Sequence, residues 1–134
     1  MNEVLRFLRE HPVQFLATVG FDGKPKVRPF QFMLEEDGKL WFCTGRQKAV
    51  YAELQKQPFL ELSASGSDNT WLRISARAQF KDNPGVKERI IASNPLVKSI
   101  YHTGDNPVFA VFYLMDGTAV IRDFSGNPPQ IDTI

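Results

Sequence analysis

The sequence is poor in the residues on which disulfide, zinc and histidine chemistry depend. Cys43 is the only cysteine, and His11 and His102 are the only histidines, among 134 residues. A single cysteine excludes an internal disulfide and is typical of a reducing cytoplasm. Neither histidine has a Cys, His or carboxylate partner at ligand spacing, so we predict that the chain holds no metal.

The sequence also lacks an excess of charge of one sign and any long apolar run. The formal net charge is +1, which gives no reason to expect nucleic acid or an anionic membrane surface as a partner. The longest apolar runs are too short to span a bilayer. The first three residues, Met-Asn-Glu, already include a charge, so we predict no secretory signal and a cytoplasmic protein.

The common nucleotide and nucleophile motifs are absent as well. The chain has no G-x-G-x-x-G, no G-x-x-x-x-G-K-[ST] and no G-x-S-x-G. These are the signatures of dinucleotide sites, phosphate loops and α/β-hydrolase nucleophiles. The sequence therefore identifies no catalytic residue.

The hydropathy pattern predicts a mainly β chain that forms one domain over residues 1–134. Alternating apolar and polar residues, with Asp-Gly turns at 22–23, 37–38 and 116–117, predict a mostly antiparallel sheet of about six strands. Such a sheet is expected to close into a small barrel, which removes its edges. The predicted strands cover 13–20, 26–34, 39–44, 59–65, 71–80, 108–115 and 118–124. Short helices are predicted over 1–11, 48–56 and 83–101, the last interrupted at Asn94-Pro95, and the tail from 126 is expected to be irregular.

The stretch from Lys26 to Lys48 carries the clearest chemical signal. Its two predicted strands each end with cations or small polar groups, and Thr44, Gly45 and Lys48 lead into a helix. If the two strands are neighbours, Arg28 lies near the corner formed by residues 44–48. Hydroxyl, backbone N–H and ammonium donors at a helix N-terminus suit a phosphate. The same residues are also compatible with a solvated basic turn in which Thr44 caps the helix.

Four other features each allow two interpretations. Cys43 is a small packed side chain or a thiol beside a ligand, and His102 is a solvated loop residue or a proton donor. Trp71, on a predicted strand whose two faces alternate strictly, packs in a subunit interface or stacks on a ring. The 11 phenylalanines fill the core, or they serve an interface or a planar ligand.

The order and spacing of these segments resemble the pyridoxamine 5′-phosphate oxidase-like family of FMN-binding split barrels, especially its small NimA/NimC-like (nitroimidazole-resistance) members. The resemblance lies in D-G-K-P at the first turn, V-R-P-F on the second strand, F-C-T-x-x-x-K after the third and V-I-R-D-F-S-G near the end. It extends over essentially the whole chain. The implied fold is a mainly β, six-stranded antiparallel split β-barrel flanked by short α-helices.

The resemblance also implies a homodimer with FMN in a groove between the subunits. Arg28, Thr44, Gln47 and Lys48 would hold the FMN phosphate and ribityl chain. The isoalloxazine ring would be lined by the backbone of Val27, Arg28, Pro29, Phe30 and Gln31, together with Phe42 and Cys43. The Trp71–Arg73 strand of the other subunit would close the site.

The activity that the resemblance implies is oxidoreduction. FMN would take hydride from a reduced nicotinamide and pass electrons to a small acceptor such as a nitro compound or a quinone. The alternatives are a non-catalytic flavin-binding or sensing protein, and a deazaflavin or haem binder of the same fold. The sequence departs from the oxidases proper, because its corner reads G-R-Q-K instead of S-R-K. Arg122-Asp123 also stands where R-x-H is expected, so vitamin B6 oxidation is not implied.

Overall fold

The protein consists of four short α-helices and eight β-strands, in a computed structural model that describes residues 1–134. The helices are α1 (Asn2–Glu10), α2 (Ala49–Lys56), α3 (Pro84–Ser93) and α4 (Pro95–Tyr101). The strands are β1 (Gln14–Val19), β2 (Pro25–Phe30), β3 (Leu34–Glu36), β4 (Lys39–Gly45), β5 (Phe59–Ser65), β6 (Trp71–Phe80), β7 (Phe109–Arg122) and β8 (Gln130–Thr133). None of the helices is long and apolar enough to cross a membrane.

The strands form one antiparallel sheet in the order β2-β1-β5-β6-β7-β4-β3, and β8 pairs with β7 beside this path. This arrangement confirms the predicted split barrel with short flanking helices. The expectation that the sheet closes is wrong, because β2 and β3 at the two ends of the order do not pair with each other. The chain passes from β2 to β3 through only three residues, 31–33. The two edges therefore approach each other without sharing a hydrogen-bonded ladder.

Two of the three Asp-Gly turns are confirmed as hairpins. Residues 22–23 join β1 to β2, and Asp37 and Gly38 join β3 to β4 with φ angles of 55° and 72°. Positive φ at both central residues is what a type I′ hairpin turn requires.

The predicted hairpin turn at Asp116-Gly117 is wrong. Strand β7 continues through it, and the pairing with β6 shifts register between Ser75 and Arg77. The extra residue lies in β7, so the site is a β-bulge, and Asp116 has a φ of 53°. A Cβ on Gly117 would lie 2.3 Å from the carbonyl oxygen of Ser75. The long β6 offers partners on both sides of the bulge, which is why the chain does not turn back.

Two other segments differ from the sequence prediction. The predicted strand 26–34 is divided, because its first part pairs with β1 as β2 and its end pairs with β4 as β3. The tail expected to be irregular forms β8 at Gln130–Thr133. Pro29 lies in the edge strand β2, where proline is tolerated although it cannot donate to a ladder. The helix interruption at Asn94-Pro95 is confirmed, and the Asn94 side chain accepts a hydrogen bond from the N–H of Val97 at 3.1 Å.

Strands β4 and β7 are buried on both faces, and this divides the core into two clusters. The larger cluster fills the barrel, where the rings of Phe42 and Phe112 stack with centroids 5.7 Å apart. The smaller cluster lies between β4, β7 and the helices α3 and α4, and it contains Trp41, Phe109 and Tyr101. Most phenylalanines are therefore core or core-packed residues, whereas four are exposed: Phe15, Phe21, Phe59 and Phe124.

Candidate functional site

An open groove of about 450 Å³ lies where the two edges of the sheet approach each other. One wall is the end of β2 and the connection after it, and the other is the end of β4 with the start of α2. Helix α4 and the segment before β1 complete it. The lining residues are Pro12, Val13, Pro29, Phe30, Gln31, Met33, Cys43, Thr44, Lys48, Leu96, Val97, Ile100 and Tyr101.

Six residues that the sequence analysis singled out line this groove. Pro29, Phe30 and Gln31 come from β2 and its connection, and Cys43, Thr44 and Lys48 come from β4 and the start of α2. The expectation that β2 and β4 are neighbouring strands is wrong, because β2 pairs with β1, and β4 pairs with β3 and β7. They meet across the open side of the barrel, where the rings of Phe30 and Phe42 lie 6.4 Å apart.

Donor groups that suit an anion meet at the Thr44–Lys48 corner of the groove, which we call the anion corner. Thr44 is 3% exposed, and its Oγ1 is the one fully buried side-chain nitrogen or oxygen of the chain without a hydrogen-bond partner. A buried hydroxyl left without a partner costs about 1–3 kcal/mol. Lys48 is exposed, makes no salt bridge, and stands at the N-cap of α2, which has no side-chain cap. The corner therefore offers a hydroxyl, an ammonium and a helix N-terminus without an anionic partner in the chain.

Arg28 is engaged elsewhere. Its Nη2 donates to Oε1 of Glu53 at 2.7 Å, and its Nη1 donates to Oγ1 of Thr18 at 2.7 Å and to the carbonyl oxygen of Leu16 at 3.2 Å. The Thr18 hydroxyl in turn donates to the same carboxylate oxygen of Glu53 at 2.7 Å. Glu53 lies in α2, so this buried network ties β1 and β2 to the helix whose first residues border the groove. Arg28 does not line the groove itself.

Four other residues from the sequence-based set also lie outside the lining of the groove. Val27 is 66% exposed on the outer face of β2, whereas Phe42 is fully buried in the barrel. The Gln47 side chain folds over Gly45, where an added Cβ would lie 2.3 Å from its Oε1. Trp71 begins β6, and its ring packs on Phe124 at a centroid distance of 5.0 Å.

Cys43 lies beside the anion corner, but its thiol is not activated. Burial raises its pKa from 9.0 to about 12, against a smaller opposing effect of the Lys48 ammonium. The thiolate is the nucleophilic form of cysteine. At neutral pH Cys43 is therefore a protonated side chain that lines the groove.

The sequence analysis missed the apolar wall of the groove. Leu96 and Ile100 are 65% and 52% exposed on α4, with Val97 and Tyr101 buried beside them. The signal is the pair of large apolar residues at positions i and i+4, which share one helix face. That signal is easily read as core packing, because a helix of seven residues shows less than two full turns of periodicity.

His102 follows Tyr101 but does not line the groove. It borders a separate polar depression together with Glu88, Lys98, Thr103 and Asp105. No three side chains of the His, Cys, Asp and Glu types are grouped so that they could hold a metal ion. The groove thus has one polar corner, Thr44–Lys48, and an otherwise largely apolar lining.

The comparisons with known proteins agree with this architecture. Residues 1–120 match the family model described as pyridoxamine 5′-phosphate oxidase. A NimC/NimA family protein from Clostridium acetobutylicum is similar to the chain at 30% identity, with a TM-score of 0.90, over 100% of this chain and 92% of that one. No curated protein sequence matches.

Two more distant structures share the fold. A pyridoxamine 5′-phosphate oxidase-related, FMN binding protein from Nostoc punctiforme has 18% identity and a TM-score of 0.70, over 97% of this chain and 85% of that one. A heme binding protein from Mycobacterium smegmatis has 16% identity and a TM-score of 0.71, over 95% of this chain and 55% of that one. Since the family model matches residues 1–120, which include every residue that lines the groove, the chain belongs to the pyridoxamine 5′-phosphate oxidase-like family of split barrels.

Proposed function

We propose that the protein is an FMN-binding oxidoreductase that passes electrons from a reduced nicotinamide through FMN to a small acceptor, a nitro compound or a quinone. The observation that carries the proposal is the buried, unpartnered hydroxyl of Thr44, which lines the same largely apolar groove as Lys48, a residue without a salt-bridge partner. The FMN phosphate would accept hydrogen bonds from both groups, and the planar remainder of FMN suits the largely apolar lining.

The chain's own residues would bind and orient the cofactor. Thr44, Lys48 and the first N–H groups of α2 would hold the phosphate, as anions are held at helix N-termini. The backbone of residues 29–31 and the packed Cys43 would face the ring and keep water away from it. FMN, when bound, supplies the hydride and electron transfer chemistry, so the site needs no activated acid, base or thiol.

The two distant structures named above bear on the cofactor, one in favour of the proposal and one as its rival. The Nostoc punctiforme protein is described as FMN binding and the Mycobacterium smegmatis protein as heme binding. The Thr44 hydroxyl and the Lys48 ammonium at one end of the groove suit a phosphate, which FMN carries and haem does not, so we place FMN ahead of haem. A deazaflavin of the same fold family is the other alternative, and the absorption spectrum distinguishes it from FMN.

The absorption spectrum of the purified protein tests the cofactor, and its response to reductants tests the activity. We expect the protein to take up FMN, to bleach with NADH or NADPH under anaerobic conditions, and to regain its colour when a quinone or nitroaromatic acceptor is added. If neither NADH nor NADPH bleaches the FMN-loaded protein, the oxidoreductase activity is refuted and the protein is a flavin-binding or sensing protein. A haem Soret band, or failure to take up FMN, would refute the proposal.

We further propose that a second copy of the chain covers the open side of the groove. Large apolar residues beside it are exposed: Val13 is 61% exposed, Phe15 49% and Val27 66%, in addition to Leu96 and Ile100 on α4. Phe15 pairs in register with Pro29, and Ala17 with Val27, so the strand residues form one continuous patch. Contiguous apolar surface of this kind marks interaction sites.

Measuring the mass in solution tests the dimer. We expect the mass of the FMN-loaded protein in sedimentation equilibrium to be twice the 15.2 kDa of one chain. Val27→Asp should shift the mass toward that of one chain, because it places a charge in the apolar patch. The matched control is Val108→Asp, since Val108 is exposed but lies outside the patch. A monomer that retains FMN would contradict this part of the proposal.

A further inference from the structure

Tyr101 stands out on the apolar wall of the groove. It is 5% exposed, and it lines the groove beside Val97 and Ile100. Its backbone oxygen accepts hydrogen bonds from the Asn106 side chain at 2.8 Å and from the N–H of Thr103 at 2.9 Å, whereas its hydroxyl has no partner in the chain. The ring packs on Phe109 with centroids 4.8 Å apart. Hydrogen bonds thus fix the backbone of Tyr101 and packing on Phe109 fixes its ring, while its hydroxyl makes no hydrogen bond within the chain.

The Tyr101 hydroxyl belongs to a side chain that lines the groove. Its oxygen is not fully buried, since Thr44 Oγ1 is the one fully buried side-chain polar atom without a partner. Buried tyrosine hydroxyls usually find a hydrogen-bond partner. Burial, with a smaller effect of Cys43, raises the pKa of Tyr101 above its ordinary value. The hydroxyl therefore keeps its proton throughout the neutral range and is available as a donor.

The surroundings indicate which ligand this donor suits. Around Tyr101 the wall consists of Leu96, Val97, Ile100 and Met33, and the cation of the groove, Lys48, belongs to the anion corner. An anionic ligand end would find its partner there, whereas an uncharged planar ligand would lie against the apolar wall. One fixed hydroxyl in such a wall selects for a ligand with a hydrogen-bond-accepting oxygen, since polar groups in apolar pockets fix orientation and specificity.

We propose that Tyr101 is the specificity-determining residue of the acceptor end of the groove, where its hydroxyl donates a hydrogen bond to an oxygen of an uncharged, planar acceptor. The inference rests on the proposed function in taking the groove as the site that FMN and its acceptor share. It adds a residue that none of the sequence motifs indicates and divides the groove between a phosphate end and an acceptor end.

The test compares two ligands and two tyrosines by calorimetry. Duroquinone is an uncharged, planar quinone, and durene is the same methylated ring without its two oxygens. Tyr101→Phe should weaken duroquinone binding to the FMN-loaded protein about fivefold, the effect of one neutral hydrogen bond. It should leave durene binding and the FMN dissociation constant unchanged within about twofold, given the usual scatter of such values. Tyr51→Phe is the matched control, because the Tyr51 ring packs on Phe80 at 4.9 Å and does not line the groove.

The possible results separate this inference from the proposed function. If the wild-type protein and Tyr101→Phe bind duroquinone equally, or if the wild-type protein does not bind it, the role of Tyr101 is refuted even though FMN binds. If Tyr101→Phe weakens durene binding as much as duroquinone binding, Tyr101 acts by packing, and its proposed hydrogen bond to the acceptor is refuted as well. If FMN does not bind, the proposed function fails, and the same titrations on the FMN-free protein still decide whether Tyr101 recognises the quinone oxygens.

Discussion

Replacing Glu53 with alanine is expected to lower the free energy of unfolding by about 3 kcal/mol, the cost of breaking a buried ion pair. Glu53 is buried in α2, and its Oε1 accepts from both Arg28 and Thr18 at 2.7 Å. Without the carboxylate, a guanidinium that is only 23% exposed loses its counter-charge, and Thr18 loses its acceptor. Urea denaturation of the FMN-free protein measures the change.

The control is Glu10→Ala, which removes a helical glutamate from an exposed pair. Arg6 Nε and Glu10 Oε1 lie 4.0 Å apart, and both side chains are more than 60% exposed. The expected loss in the free energy of unfolding is therefore below about 0.5 kcal/mol. Replacing both charges in Arg28→Met/Glu53→Leu should recover more than half of the stability lost in Glu53→Ala, because apolar pairs often replace buried ion pairs without loss. Equal losses in Glu53→Ala and Glu10→Ala would show that the network is not stabilising.

The second large effect concerns FMN affinity. Lys48→Ala is expected to raise the FMN dissociation constant about 10- to 100-fold, the effect of losing one charge-assisted hydrogen bond. Riboflavin lacks the phosphate, so its affinity should change little. Lys56→Ala is the matched control, since Lys56 ends the same helix and lies over the Phe21 ring at 5.0 Å, away from the groove. Quenching of flavin fluorescence measures all these affinities.

Thr44→Val sharpens this experiment because it is expected to stabilise the FMN-free protein and, at the same time, to weaken FMN binding. Valine keeps the shape of threonine but removes the unpartnered hydroxyl, so the FMN-free protein should gain about 1 kcal/mol of stability. FMN binding should weaken about 3- to 10-fold, since one hydrogen bond to the phosphate is lost. Unchanged FMN affinity in both Lys48→Ala and Thr44→Val would place the phosphate elsewhere. A loss of stability in Thr44→Val would show that the hydroxyl has a structural partner.

The position of Arg28 could not be predicted from the sequence, because it depends on which strands pair. The pattern V-R-P-F placed an arginine on a strand close in sequence to the anion corner, and adjacent strands would have brought the two together. The strand order instead pairs β2 with β1, which turns Arg28 toward Glu53. Nothing in the local sequence around Glu53 marks it as a buried partner, because its partners lie 25 and 35 residues away along the chain.

Local turn chemistry was predicted well where it alone decides the structure. The Asp37-Gly38 hairpin follows from residues that tolerate positive φ between two short strands. Asp116 adopts a similar φ of 53°, yet a long neighbouring strand keeps the chain straight and turns the same dipeptide into a bulge. Identical local preferences therefore gave different structures, because the pairing partner of β7 extends on both sides of the dipeptide.

The sequence by itself determined the mainly β class, most strand and helix positions, the phosphate-suited residues Thr44 and Lys48, and the family. These depend on side-chain periodicity, turn residues and motif spacing, which are local properties of the chain. Only the tertiary structure decided that the barrel stays open, that Arg28 is bound by Glu53, and that Tyr101 and α4 form the apolar wall of the groove. Each of these results depends on which distant segments pack together, and this choice is made by burial and strand pairing over the whole fold.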